Sequence, residues 1–117
     1  MRKARSLLLT PLLPLLVPAL TGCGLLGGSW DVQLEVQGSG TATVTTKFAG
    51  EPDAGTTTLA TIPFSSSRNV GFGFNRIDVQ GGAPGTVCRV LVDGAVREEH
   101  PVDAAGAASC MANNQNP

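Results

Sequence analysis

The sequence predicts an all-β protein, a small antiparallel β-sandwich of immunoglobulin-like type with about seven strands. Three observations predict it. Apolar and polar residues alternate with period two in one short segment after another, the pattern of a half-buried strand. Clusters of Gly, Pro, Asp and Ser interrupt those segments about every 8–12 residues. Past Trp30 no segment carries helical periodicity.

The N-terminus has a different character. Arg2, Lys3 and Arg5 form a basic start, Leu7 to Leu20 is apolar, and small residues follow. That is the layout of an export signal. A membrane span needs roughly 20 apolar residues. Leu7 to Leu20 is shorter and holds Pro11, Pro14 and Pro18, each lacking a helix N–H. Leu20-Thr21-Gly22-Cys23 reads as a bacterial lipobox, with Cys23 as the lipidated residue and new N-terminus. Residues 1–22 are thus expected to be a lipoprotein signal peptide. Residues 23–29 would be the lipidated Cys and a Gly-rich linker. The expected address is extracytoplasmic, anchored to the cell membrane by lipid.

Strand residues follow in order. Val32, Leu34 and Val36 alternate with Asp31, Gln33, Glu35 and Gln37. Gly38-Ser39-Gly40 breaks the run. From Thr41 to Phe48, Ala42, Val44, Thr46 and Phe48 share one face; branching at Cβ favours extended backbone there. Glu51 to Gly55 is a turn cluster, Thr56 to Ile62 a third strand, and Ser65-Ser66-Ser67 a loop. Val70, Phe72 and Phe74 share one phase, with the rings expected in the core. Ile77 and Val79 share the other phase, so a bulge resets the alternation or a turn splits the segment. Val87 to Val92 is a dense apolar strand. Asp93-Gly94 signals a two-residue type I′ hairpin, because both positions take positive φ. Val96 to His100 returns antiparallel, and Ala107 to Met111 is a last short strand. The domain is expected over 30–111 and a polar tail over 112–117.

Composition narrows the function classes. Without residues 1–22, five Lys and Arg face nine Asp and Glu, a formal charge of −4. An acidic domain with no basic run is a poor match for nucleic acid or for electrostatic docking on anionic lipid. Cys88 and Cys110 remain as an even pair in an exported chain, where thiols tend to be oxidised, and a disulfide between them is expected. A zinc site would want more ligands than the single His100 and no CxxC offer. No cofactor or metal is expected.

Catalytic patterns are weak. His100 lies among Glu98, Glu99 and Pro101 and reads as a solvated His. Ser65-Ser66-Ser67 lacks a nucleophile elbow. Glu98 and Glu99 point to opposite faces of a strand. Gly71-Phe72-Gly73-Phe74 opens no helix, so dinucleotide binding is rejected. The chain reads as a non-enzyme.

Cys88-Arg89-Val90-Leu91-Val92-Asp93-Gly94-Ala95-Val96 resembles the Cys-Arg…Val-Asp-Gly-x-Val hairpin of MmpS-type proteins, small mycobacterial membrane proteins with actinobacterial relatives. Val36 to Ala42, Ile62-Pro63-Phe64-Ser65, Asp78 to Gly81 and the late Cys110 are similar to further stretches of that family. The resemblance implies a β-sandwich outside the membrane with its two Cys joined. It also implies an accessory role beside a large polytopic lipid or siderophore transporter of the MmpL type. This chain departs in carrying a lipobox where well-known members have a transmembrane helix, and Phe64 where Trp is usual. The alternative function is a free-standing envelope lipoprotein that binds an apolar small molecule or lipid.

The lipobox reading makes a direct prediction. The membrane-bound protein should begin at Cys23 and carry acyl mass. Cys23→Ala should leave uncleaved precursor or release soluble protein. An intact mass with an unmodified Cys23 at the mature N-terminus would refute it.

Overall fold

The computed structural model describes residues 28–114. Cys23 and the signal segment lie outside the described residues. Among those described, no helix is long and apolar enough to cross a membrane.

Eight strands form in chain order: β1 Trp30–Gln37, β2 Thr41–Lys47, β3 Thr56–Thr61, β4 Phe64–Val70, β5 Phe74–Gln80, β6 Val87–Val92, β7 Ala95–Pro101 and β8 Ala108–Asn113. They make two four-stranded antiparallel sheets, ordered β4-β1-β6-β7 and β3-β2-β5-β8. The β2–β3 and β6–β7 hairpins stay within one sheet; every other connection crosses between sheets.

The predicted sandwich is the one observed, with eight strands in place of about seven. The added strand is β4, which takes up Ser65-Ser66-Ser67, read from sequence as a loop. It pairs along its whole length with β1, from Trp30↔Val70 to Val36↔Phe64. Serines suit this edge position, where most of β4 is exposed. The phase change after Val70 is a turn at residues 71–73, which separates β4 from β5. Gly73 has φ 137°, and an added Cβ there would lie 3.0 Å from the Ala49 Cβ, so a side chain would collide with the neighbouring loop.

Two further expectations are corrected. Phe72 and Phe74 are not core rings; they are 61% and 51% exposed. After the turn, the inward phase of β5 belongs to Asn75, Ile77 and Val79, which points Phe74 out. β8 runs on to Asn113, and the Asn114 N–H donates to Gly73 O at 2.8 Å, so the domain continues past Met111.

The core is aliphatic. Val32, Leu34 and Val36 of β1 meet Val90 and Val92 of β6 on one side, and Val44, Ile77 and Val79 on the other. Phe48 is the aromatic ring that is fully buried, under the Arg68 guanidinium at 5.0 Å. Each fully buried Val or Leu contributes about 1.5–3 kcal/mol. The Asp93-Gly94 turn has φ 50° and 85°, as a type I′ hairpin requires. It is pinned to β1: Asp93 N–H donates to Asp31 O at 2.8 Å, and Asp93 Oδ1 accepts from Asp31 N–H at 2.9 Å.

Cys88 of β6 and Cys110 of β8 form a disulfide across the two sheets, both fully buried. Their Cα atoms are 6.0 Å apart. Packed sheets usually lie about 10 Å apart, so the layers converge here. On the same side, Glu98 of β7 accepts the Met111 N–H at 2.8 Å, giving a partner to a backbone donor on the edge of β8.

The bridge spans a sequence separation of 22. Closing such a loop constrains the unfolded chain by roughly 3 kcal/mol. Cys88→Ala/Cys110→Ala should therefore lower Tm by on the order of 10–20 °C. The folded, never-reduced parent should show no free thiol at either position. Two freely reacting thiols would refute the pairing.

Candidate functional site

The strands leave loops at two ends. One end gathers the β2–β3 loop, the β4–β5 turn, the β6–β7 turn and Asn114 beside the first residue of β1. The other gathers the β1–β2, β3–β4, β5–β6 and β7–β8 connections.

The first end is aromatic. Trp30 opens β1 opposite Val70, and Phe72 follows two residues later in the turn. The two rings meet edge-to-face with centroids 5.2 Å apart. Phe74 opens β5 opposite Asn113. It lines an open depression of about 410 Å³ with Lys47, Asp53, Arg76 and Met111. Lys47 Nζ donates to Phe74 O at 3.4 Å, and Arg76 pairs with Asp78 at 2.8 Å.

Asn75 holds this end in shape, a role not read from sequence, where Asn75-Arg76 marked only a candidate bulge. It has no exposed surface. Its Oδ1 accepts the Ala49 N–H at 2.9 Å, and its Nδ2 donates to Ala112 O at 3.3 Å. One side chain thus ties the β2–β3 loop and β8 to β5. Glu51 adds to the loop by accepting the Phe48 N–H at 2.9 Å and pairing with Arg68. The signal available in sequence was a polar residue on the phase of Ile77 and Val79.

The outer faces of the sheets differ. On the β4-β1-β6-β7 face, Glu35 gathers Gln33, Gln37 at 3.2 Å and Arg89 at 3.8 Å, and Arg89 also pairs with Glu99 at 3.0 Å. On the β3-β2-β5-β8 face, Thr45 and Thr57 hydroxyls meet at 2.9 Å and Ser109 donates to Asp78 at 2.6 Å. A shallow hollow beside them includes Asp103, whose Oδ1 accepts the Ala105 and Ala107 N–H groups. The Ala107 N–H, then that of Ala105, hold its carboxyl below the usual carboxylate range. This tie is complete at neutral pH and is lost only as pH falls through that lowered value. Leu59 stands out of the same face, 73% exposed.

The residues considered for chemistry do not assemble. His100 is exposed on β7, with Nε2 3.5 Å from Glu98 Oε1. Glu98, His100 and Cys110 place ligand-type atoms within 4.8 Å of one another. The Cys110 sulfur is already bonded to Cys88, and Glu98 Oε1 holds the Met111 N–H, so this set is committed to structure. Ser65 to Ser67 lie on edge strand β4, far along the sheet from His100 on the opposite edge strand β7. No protein-family model matches the chain, and a search of curated proteins finds no match.

Asn75→Leu should test the buried amide. The replacement leaves the Ala49 N–H and the Ala112 carbonyl without their partner, at a cost of about 2–4 kcal/mol in stability. Amide exchange should accelerate first at Ala49 and Gly50. A variant as stable as the parent would show that the amide holds nothing.

Proposed function

We propose that this protein is a lipid-anchored extracytoplasmic lipoprotein that works by contact and not by catalysis, as an accessory subunit of an envelope lipid or siderophore transporter. The observation that carries the contact reading is the placement of large apolar side chains outside the sandwich. Leu59, Phe72, Phe74, Val96 and Met111 are all exposed in a chain with four Phe, one Trp and no Tyr. A domain with so few rings would gain more stability by burying them. Leaving them outside suits surfaces that another apolar phase covers.

The hairpin that resembles MmpS-type proteins is β6–β7. Its Cys88 makes the bridge between sheets, Arg89 lies in the outer-face ion pairs, and Asp93-Gly94 makes the pinned turn. The motif residues thus have fold-bearing work here, consistent with kinship in fold. The transporter role comes from the resemblance, and the lipid would take over the membrane attachment that a helix gives other members.

A free-standing lipoprotein with an internal apolar pocket has less support. Phe72, Phe74 and Leu59 would have to line it together. They point outward, and Leu59 pairs in register with Thr43, which in turn faces Gln80, at the far end of β5 from Phe74.

A photo-crosslinking residue at Leu59, in native membranes, should yield an adduct the size of a polytopic transporter. Deleting the lipoprotein should reduce export of that transporter's cargo. Self-adducts alone, with export unchanged, would refute the accessory role.

A further inference from the structure

We propose that the aromatic end of the sandwich, Trp30 with Phe72 and Phe74, rests in the interfacial layer of the bilayer and sets the orientation of the domain on the membrane. The proposal rests on the lipid-anchor reading.

Tether length carries the argument. Trp30 lies seven positions after Cys23. At about 3.3–3.6 Å per residue the connection spans at most about 25 Å. The tether enters at the end of β1 where the rings are, because Trp30 opens that strand. The β4–β5 turn brings Phe72 against Trp30 at 5.2 Å. The opposite end, with the Gly38–Gly40 turn, is a full strand length farther away. A short lipid tether at this end therefore holds these rings at the bilayer surface and keeps the other end away.

The chemistry suits that position. Trp favours the interface, with its apolar ring towards the acyl chains and its N–H towards water. Phe72 packs against the half-buried Trp30, and Phe72 and Phe74 leave 61% and 51% of their surface free. The nearby cations all have carboxylates close by: Arg68 pairs with Glu51, Arg76 with Asp78, and Lys47 shares the Phe74 depression with Asp53, while Asp31 and Asp93 add negative charge at the start of β1. Contact is thus through apolar insertion, with no dependence on anionic lipid. Asn75 and the tight approach of Gly73 to Ala49 keep the ring-bearing turn rigid.

Trp30 is the sole Trp, so its fluorescence reports the contact directly. The full mature protein is placed in phosphatidylcholine vesicles, with and without lipid brominated near the headgroup end of the acyl chain. If the indole sits at the headgroup–acyl boundary, bromolipid should reduce its emission about twofold or more. Adding phosphatidylglycerol should change nothing. Phe72→Ser/Phe74→Ser should stay folded, with Tm lowered by on the order of 10 °C or less through loss of the Trp30–Phe72 contact, and keep vesicle flotation yet lose most of the quenching.

Emission indifferent to bromolipid in vesicle-bound protein overturns the proposal. So does quenching that is unchanged in a folded double variant. A dimer that shields Trp30 and is lost in the double variant also overturns it, in favour of self-association. Intact mass tests the anchor separately. Protein without acyl chains that is still quenched supports insertion by the rings alone and refutes the anchor. Unacylated protein that is not quenched overturns both.

Discussion

Cys88 and Cys110 face each other across the two sheets with Cα atoms 6.0 Å apart, nearer than packed sheets usually lie. β8, at the edge of its sheet, is short and rich in small residues, so it buries little apolar area of its own. The bond holds it against β6, and β8 in turn covers β5. Glu98 then reaches the edge of β8. The closed side of the sandwich follows from that one approach, and the aliphatic residues of β1, β2, β5 and β6 fill the space between the layers.

Burial runs against simple hydrophobic ranking at the end where β1 begins. Asn75 is fully buried while Phe72 and Phe74 are exposed. The amide earns its place by satisfying backbone groups of two separate segments, which a ring in that position would leave unpaired. The rings are displaced outward by the same turn that brings Asn75 in. A rigid loop cluster with apolar tips is the result, at the end where the chain enters the fold.

The outer faces of the two sheets are polar in different ways. One is a carboxylate, amide and guanidinium network around Glu35, and the other a hydroxyl surface around Thr45, Asp78 and Ser109. Their polar groups are largely satisfied by each other. His100 and the serines of β4 belong to opposite edges of one sheet, which keeps the residue types of hydrolytic catalysis apart.

Period-two alternation in β1, β2 and β6, the Asp93-Gly94 pair and the even Cys pair were legible in the sequence because each is a local rule. Side-chain alternation, positive-φ preference and cysteine parity act within a few residues or on composition alone. The serine-rich β4 was not legible. Its strand state comes from pairing with β1 across 28 to 40 residues of chain, and edge position removes the need for apolar alternation. Nor was the fate of Phe72 and Phe74. A three-residue turn at 71–73 reset the inward phase, and only the packing of Gly73 against Ala49, with Asn75 bonded to Ala49 and Ala112, decided which residues turned inward. Sequence determined which segments want to be extended and where they reverse. Tertiary structure decided which edge strands join and which rings are left outside, because those depend on partners distant in the chain.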